Sequence, residues 1–434
     1  MADTVLRGRL LSFHAEPSGP GDQTSYTYVE DGVIRVEAGR IAAIGPAASL
    51  LPTLPPDTPV EHYPDQLILP GFIDLHIHLP QTQVIASYGA QLMEWLEKYT
   101  FVEEQKYADP AHAEAGARFF LDELLRNGTT TAVVYGSVHV GSIEAFFAES
   151  QLRGTGMIAG KTMMDRNAPP KLRDTAQSSY DDSKALITRW HKHGRQRYAV
   201  TPRFVVTSTP AQLDAAGALL REHPDVYMQT HLAENRAEIA AAQALYPEAV
   251  SYTDIYRRHD LLGPRSLFGH CIHLDESELD LLAASRSVAV FCPTSNLFLG
   301  SGLFNRARLA GHSPPVRIGL ATDLGGGTSY SMLATAAEAY KVLQLQGQTL
   351  CALSAFHQMT RGNAMALGLD GEIGSLEIGT YADLVVLDAK ATPAMAHRMA
   401  AAQGKLEDEL FVLMTLGDDR AVQATYVQGR RAVQ

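Results

Sequence analysis

The stretch LPGFIDLHIHLPQTQ, Leu69 to Gln83, begins as an apolar strand and ends in two histidines, a proline and two glutamines. Side chains on a strand alternate between its two faces, so His76 and His78 point to the same side, with Cβ atoms ~6–7 Å apart. Two imidazoles in this arrangement can bind one metal ion. The spacing alone is weak evidence, because the 16 histidines of the chain repeat it at His191 and His193. Those two follow Trp190 at a predicted helix end, where half-exposed histidines suit the helix dipole.

Eight apolar or β-branched runs alternate with segments of helical spacing that end in Gly, Asn or Pro. This rhythm predicts eight parallel strands joined by helices, the α/β fold of a (β/α)8 TIM-type barrel. Active sites of such barrels lie at the carboxyl ends of the strands, where His76 and His78 fall. The predicted strands lie in residues 71–79, 129–136, 155–164, 197–206, 226–234, 266–274, 287–295 and 316–326.

Both ends of the chain read as short strands and turns. Because the termini of a folded unit often lie close together, we predict one small β domain assembled from both ends. The expected parts are residues 1–68 and 371–434 of that domain, with residues 69–370 as the barrel. The connection after the first strand exceeds the usual length, and its segment MEWLEKYTFVEEQKY suits a wall over a site.

Composition excludes several classes of protein. The net charge of -12 over 434 residues, without a basic stripe, argues against nucleic-acid binding. No apolar run is long enough for a membrane span and the first residues lack a signal-peptide pattern, so we expect a cytoplasmic protein without a membrane partner. The three cysteines show no C-x-x-C spacing, so a metal ion here must use histidine and carboxylate.

Later strands end on residues that suit a metal ion. These are His231, His270 and Asp323, and together with the first pair they favour Zn²⁺ or Fe²⁺ with a position left for water. Glu234, three residues after His231, can carry protons above such a centre. Alternatively, His270 is a histidine of the core, as we expect for His273 nearby. Glu234 can likewise be an acidic residue in the first turn of a helix, where the helix dipole favours it.

With these residues in view, the chain resembles the amidohydrolase superfamily. The motif P-G-F-I-D-x-H-x-H, the later histidines and aspartate, and the terminal GEIGSLEIGTYADLVVLD carry the likeness. The resemblance implies a (β/α)8 barrel with a β-sandwich domain formed from both termini, and a homodimer. It also implies one metal ion per chain, because TPRF stands after strand four where a bridging lysine would be needed.

Within the superfamily, the segments HIHLPQTQ, LMEWLEKYTF, TPRF, QTHLAEN and TDLGGGTSYSML resemble the branch that hydrolyses guanine to xanthine and ammonia. The likeness implies Zn²⁺ as cofactor, with Fe²⁺ as the alternative, and guanine and water as substrates. The implied metal ligands are His76, His78, His231 and Asp323, with His270 as a further ligand or as the group that orients the water. Implied proton carriers are Glu234 and Asp323, and implied substrate contacts are Gln81, Arg203, Phe204, His231 and Glu234. Gln81 is chosen over Gln83 because it keeps the His-x-Pro-Gln spacing.

Two other functions stay open. One is a deaminase of the same architecture that acts on 8-oxoguanine, cytosine, a triazine or an adenosine derivative. The other is a non-catalytic scaffold, although such a protein should lack ligands that this chain retains. The zinc deaminase design with H-x-E and P-C-x-x-C is excluded, because no P-C-x-x-C occurs.

Overall fold

The computed structural model describes residues 4–89, 91–402 and 404–432. The strands of this part of the chain are β1 (Thr4–Phe13), β2 (Tyr26–Glu37), β3 (Arg40–Pro46), β4 (Glu61–Pro70), β5 (Phe72–His78), β6 (Thr129–Tyr135), β7 (Ile158–Gly160), β8 (Thr162–Met163), β9 (Arg197–Pro202), β10 (Tyr227–Leu232), β11 (Ser266–His270), β12 (Val288–Phe291), β13 (Arg317–Leu320), β14 (Leu384–Leu387), β15 (Val422–Val427) and β16 (Arg430–Arg431).

The α-helices of the same residues are α1 (Ala47–Leu50), α2 (Leu92–Trp95), α3 (Phe101–Glu104), α4 (Pro110–Arg126), α5 (Val140–Arg153), α6 (Ala176–Trp190), α7 (Pro210–Glu222), α8 (Arg236–Leu245), α9 (Tyr252–Arg258), α10 (Glu276–Ser285), α11 (Pro293–Phe298), α12 (Arg306–Ala310), α13 (Met332–Gln344), α14 (Ala352–His357), α15 (Asn363–Leu367), α16 (Pro393–Met399) and α17 (Leu406–Leu416). No helix of the described residues is long and apolar enough to span a membrane.

Strands β5 to β13 form a parallel barrel in the order β5-β6-β7-β9-β10-β11-β12-β13, with β8 paired to β9. Every predicted strand is present, and the third is split at Lys161 into two short pieces. The main-chain N–H of Asp323, just beyond β13, donates to the carbonyl of His76 on β5 at 2.9 Å, which joins the last strand to the first. The (β/α)8 barrel predicted from the sequence is confirmed.

A buried carboxylate strengthens the junction of the first and last strands. Oδ2 of Asp74 accepts a hydrogen bond from the Thr322 hydroxyl at 2.5 Å, and Oδ1 accepts from the Thr322 main-chain N–H at 3.1 Å. Oδ1 also accepts from the N–H of His76 at 3.2 Å. Burial raises the pKa of Asp74 to about 6. The aspartate between the apolar residues of β5 therefore holds the barrel closed beside the first candidate ligand.

Strand β5 changes its facing partway along its length. Ile73 and Leu75 belong to the apolar cluster that also contains Val133 and Val288, whereas Ile77 belongs to the cluster shared with the helices. The pairing of β5 with β6 shifts in register between Asp74 and Ile77. A β-bulge inserts a residue and re-aims the side chains that follow it. Because of the bulge, the side chains at the end of β5 no longer follow the alternation that Ile73 and Leu75 set.

The termini form one mixed sheet of seven strands in the order β16-β15-β14-β4-β1-β2-β3. One face holds an apolar core to which β1, β2, β14 and β15 all contribute. The edge strand β3 reaches back to the segment before β14, since the N–H of Ile41 donates to the carbonyl of Thr380 at 2.9 Å. The small β domain built from both ends is confirmed, while its expected bounds at 68/69 and 370/371 stay a prediction.

A buried ion pair joins the small domain to the barrel. Nη1 of Arg195, before β9, donates to Oδ1 of Asp383, before β14, at 3.0 Å, and Nη2 contacts the other oxygen. The ring of Tyr381 lies between two guanidinium groups, with Arg40 and Arg195 each 3.9 Å from its centroid. Cations over an aromatic face are attracted by its quadrupole.

The connection after β5 builds one wall of the barrel mouth. Its first part is a 3-10 turn (Leu79–Val84), followed by α2, a π-helical turn (Leu96–Thr100) and α3. Trp95, Leu96 and Phe101 are buried in an apolar cluster with Phe204 from the loop after β9. Helix α4 follows and ends at Arg126, with Asn127 as its C-cap before Gly128, whose φ of 77° is the helix stop read from the sequence.

Candidate metal centre and active site

Four candidate ligands meet at the carboxyl ends of the barrel strands. Nε2 of His78 lies 3.3 Å from Nε2 of His76 and 3.3 Å from Nε2 of His231. Oδ1 of Asp323 lies 3.3 Å from Nε2 of His76 and 3.2 Å from Nε2 of His78. Groups that are scattered over the sequence therefore face one small volume, because the barrel brings its strand ends together.

The orientation of His231 is set by a main-chain acceptor. Its Nδ1 lies 2.8 Å from the carbonyl oxygen of Arg203. A carbonyl only accepts, so Nδ1 carries the proton and the lone pair of Nε2 faces the other histidines. Ligating histidines commonly have their second nitrogen held in this way, which fixes the tautomer and the ring plane.

His270 stands beside this group rather than at its middle. Its Nδ1 lies 2.9 Å from Oδ1 of Asn296, and its Nε2 lies 3.3 Å from Oε2 of Glu234 and 3.6 Å from Oδ2 of Asp323. That Nε2 is fully buried and has no hydrogen-bond partner among the described residues. Buried polar atoms are nearly always satisfied, so this nitrogen indicates a ligand, an ion or a water in the space it faces.

The protonation states fit a divalent ion. Burial lowers the pKa of His78 to about 3 and that of His231 well below its usual value. Burial acts against ionisation of Asp323, but the neighbouring histidines, His76 first, outweigh it and hold the pKa of this carboxyl well below its usual range. Neutral imidazoles and an ionised carboxylate are the forms that bind metal. The donor atoms of His76, His78 and His231, and those of His76, His270 and Asp323, lie within 4.8 Å of one another in each group.

The backbone at the site is strained. His270 has a φ of 77° and Asp323 a φ of 47°, in the left-handed region that non-glycine residues rarely adopt. Such conformations cluster at functional sites, where the surrounding structure holds them. Gly269 also serves the site, because a Cβ there would lie 2.8 Å from Nδ1 and 2.5 Å from Cε1 of His76. Only glycine leaves room for the His76 ring next to β11.

Glu234 is buried beside the candidate centre. Ser301 donates its hydroxyl to Oε1 at 2.8 Å, and Oε2 faces His270. Burial first, and then the charge of Asp323, raise the pKa of Glu234 to about 8. A carboxyl group with a raised pKa can both give and take a proton near neutral pH.

A cavity opens in front of these groups. The substrate contacts expected from the sequence, Gln81, Arg203 and Phe204, all lie in its wall, whereas Gln83 is exposed. Gln81 approaches the backbone after β13 so closely that a Cβ on Gly325 would lie 1.9 Å from its Oε1. The apolar part of the wall comes from the connection after β5 and from Leu299.

Glu104, on α3, was not among the site residues predicted from the sequence. Its carboxylate is fully buried and accepts from Nη1 of Arg203 at 2.9 and 2.8 Å and from Nε2 of Gln81 at 3.3 Å. The only sequence signal is an acidic pair, Glu103 and Glu104, inside a wall segment that mixes aromatic, apolar and charged residues. Asn296 and Ser301, which hold His270 and Glu234, lie in the connection after β12 and carry no sequence signal of their own.

Three other histidines lie outside the site, as the sequence indicated. Nδ1 of His191 accepts from the N–H of Tyr198 at 3.1 Å, and Nε2 of His193 lies 2.9 Å from the Gln151 amide. Nε2 of His273 lies 2.8 Å from the carbonyl of Ser301. Among the described residues, the groups that could hold a metal ion are those at the barrel mouth.

Comparison with known proteins defines the class of this molecule. The amidohydrolase family model matches residues 67–432, and the chain belongs to the amidohydrolase family. Family membership together with the cluster of histidines and aspartate implies a divalent metal ion.

Within the family, the similar relatives include guanine deaminases. The chain is 48% identical over 427 residues to the guanine deaminase of Escherichia coli K12, covering 98% of this chain and 97% of the relative. The solved structure of the E. coli enzyme matches with a TM-score of 0.95 at 44% identity over 100% of this chain and 99% of that one. A guanine deaminase from C. acetobutylicum with guanine bound in its active site matches with a TM-score of 0.86 at 26% identity over the full length of both chains.

Proposed function

We propose that this protein is a guanine deaminase, which hydrolyses guanine to xanthine and ammonia. The observation that carries the proposal is one cavity that the His–Asp cluster lines together with Arg203 and Gln81. Similarity to guanine deaminases over nearly the whole chain supports the choice of substrate.

The proposed metal ion is Zn²⁺, one per chain, held by His76, His78, His231 and Asp323. Nitrogen and carboxylate donors at this spacing suit zinc, and Fe²⁺ has the same ligand preferences. A divalent ion held there supplies the Lewis acidity that makes water a nucleophile near neutral pH. Metal analysis of the purified protein distinguishes the two ions.

Asp323 is proposed to take the proton of the attacking water. Its Oδ1 faces His76 and His78, which leaves Oδ2, 3.6 Å from Nε2 of His270, on the side of the cavity. His270 is proposed to orient that water rather than to ligate the ion, because its unpartnered Nε2 lies between the carboxylates of Glu234 and Asp323. Oxygen then adds to C2 of guanine as the proton moves to Asp323.

Glu234 is proposed to complete the proton transfers. Its carboxyl protonates a ring nitrogen next to C2 as the water adds, so the ring does not have to hold a negative charge. Protons are then relayed to the exocyclic amine, the C2–N bond breaks, and ammonia leaves with the carbonyl of xanthine in place. Ser301 holds Oε1 of Glu234, so the other oxygen stays toward the reacting atoms.

The base is recognised by the part of the cavity formed by Arg203, Gln81 and Phe204, the recognition wall. The guanidinium of Arg203 can donate to the purine carbonyl, and the amide of Gln81 can pair with a ring group. Phe204 supplies an apolar surface, with its ring centroid 6.4 Å from that of His231. The resemblance to the family also supports a homodimer, which light scattering of the purified protein tests.

The test is a steady-state assay in which xanthine and ammonia are measured together. We expect guanine to have the highest kcat/KM in a panel with 8-oxoguanine, cytosine, a triazine and adenosine. If another member of the panel has the highest kcat/KM, that compound and not guanine is the substrate. A protein that binds one equivalent of metal but releases no ammonia from any of them would contradict deamination.

A further inference from the structure

Glu104 connects the two polar side chains of the recognition wall. Both of its oxygens accept from Nη1 of Arg203, at 2.9 and 2.8 Å, and Oε1 also accepts from Nε2 of Gln81 at 3.3 Å. The side chain of Glu104 is 0% exposed and that of Arg203 4% exposed. This carboxylate does not border the cavity, so it acts on a substrate only through its two partners.

The pairing neutralises a cation that would otherwise face the substrate. A buried guanidinium without a counter-ion is costly and attracts anions. Among the nitrogens of the Arg203 guanidinium, only Nη1 donates a hydrogen bond within the described part of the chain. Its other N–H groups are left for a ligand. Arg203 therefore offers hydrogen-bond donors while its net charge is cancelled within the wall.

Glu104 also fixes the direction of the Gln81 amide. Because a carboxylate only accepts, the NH₂ group of Gln81 faces Glu104, and its carbonyl oxygen lies against the backbone of Gly325, while the side chain as a whole lines the cavity. An acceptor beside a guanidinium donor matches the N–H and C=O of a lactam edge, which the 6-oxopurines carry.

We propose that Glu104 is a positioning residue that makes the pocket select neutral 6-oxopurines over anionic ones. The inference rests on the proposed function and concerns its substrate and product. Guanine is uncharged at neutral pH. Xanthine is the more acidic of the two purines and loses a proton just above neutral pH. A neutralised Arg203 thus holds the substrate and does not retain the ionised product.

The direct test uses Glu104→Gln, which keeps the shape and an acceptor for Arg203 but removes the charge. At one mildly alkaline pH, inhibition constants are measured for xanthine, largely an anion, and for hypoxanthine, largely neutral. We expect the ratio of the xanthine constant to the hypoxanthine constant to fall about tenfold, as one nearby charge is removed. The other charged or titratable groups that line the cavity are the same in both proteins: His78, His231, Glu234, Glu238, His270 and Asp323.

Glu103→Gln is the matched control. Glu103 is the neighbouring buried carboxylate, but its partners are Lys106 at 2.5 Å and His112 at 3.5 Å, outside the cavity. This variant should keep the wild-type ratio. Glu104→Asp retains the charge and should therefore show the wild-type ratio. If Glu104 had a purely structural role, the shorter side chain would change the ratio as well.

A double variant keeps the test decisive if Glu104→Gln fails to fold. Glu104→Gln with Arg203→Gln removes both charges, so its xanthine to hypoxanthine ratio should match that of the wild type. A ratio that favours xanthine in the double variant, or one unchanged in a folded Glu104→Gln protein, overturns the proposal. Failure of the proposed function is separate, because wild-type protein would then release no xanthine from guanine.

Discussion

The carbonyl oxygen of Arg203 accepts from Nδ1 of His231 at 2.8 Å and from the main-chain N–H of His231 at 3.1 Å. The same residue presents its guanidinium to the cavity, held by Glu104. One residue just after β9 thus orients a candidate metal ligand with its backbone and lines the cavity with its side chain. The candidate metal centre and the recognition wall are therefore linked directly through Arg203.

Glu234→Gln should abolish most of the turnover while the protein keeps its metal. The amide preserves shape and the contact from Ser301 but cannot exchange protons, so we expect kcat to fall about 10²–10⁴-fold. Metal content should stay at the wild-type level, since Glu234 is not among the proposed ligands. Glu248→Gln, an exposed carboxylate near the end of α8, is the control and should behave as wild type. Near-normal turnover in Glu234→Gln would remove this residue from the mechanism.

His270 and His78 should respond differently to the same substitution. With His78→Asn, a group within 3.3 Å of two other candidate ligands is lost, and the purified protein should lack most of its metal. His270→Asn should retain the ion and lose kcat, because the proposed role of His270 is to orient water. Metal analysis beside the assay separates the two roles. Loss of metal from both variants would make His270 a ligand.

Gly269→Ala should weaken metal binding without touching a ligand. The added methyl group would lie 2.5 to 2.8 Å from the ring of His76, which must then move in a buried site. Changes to groups that orient ligands typically cost 10–100-fold in metal affinity, and a competition titration with a chromophoric chelator measures the change. Gly141→Ala is the control, because a methyl group added there would meet no neighbouring atom within 4 Å. Equal affinities in the two variants would show that His76 has room to adapt.

Much of the fold could be read from sequence because its signals are local. Each barrel strand is a short apolar run bounded by turn residues, and every one appears where the runs predict it. The candidate ligands followed from strand position alone, since barrel geometry makes sequence separation irrelevant. Alternation also placed His76 and His78 on one side of the strand, which agrees with the 3.3 Å between their Nε2 atoms.

The remaining features depend on contacts that local patterns do not encode. The register shift between Asp74 and Ile77 changes the facing of β5 through its pairing with β6. Glu104 could not be told from Glu103, because the choice depends on the phase of a one-turn helix within an irregular connection. Asn296 and Ser301 act on side chains from other strands, at sequence distances of 26 and 67 residues.

Asp383→Asn should destabilise the whole protein rather than its site. Removing one partner leaves Arg195 buried and unpaired between the domains, which typically costs about 3–5 kcal/mol. Denaturant unfolding should show this loss, while KM for guanine in the folded enzyme stays at the wild-type value. Asp31→Asn breaks an exposed pair with Arg7 at 2.7 Å and should leave the unfolding midpoint unchanged. Similar midpoints for the two variants would show that the domains do not depend on the buried pair.

His357 should make the protein less stable in mild acid. Burial is the main cause that lowers the pKa of His357 to about 4. The charges of Arg361 and Arg306 lower this pKa further, and the charge of Glu16 opposes the shift. The unfolded chain takes up this proton near a pKa of about 6.5, so between these values the unfolded state binds more protons. The free energy of unfolding therefore falls as the pH drops from about 6.5 toward 4, by about 1–3 kcal/mol from this group.

His357→Phe isolates that contribution. The variant keeps an aromatic ring against Phe13, whose ring centroid lies 5.8 Å from that of His357, and it cannot titrate. Urea unfolding of both proteins at several pH values gives the difference in slope. We expect the variant to lose less stability than the wild type over this range, and parallel curves would mean that His357 is protonated equally in the folded and unfolded states.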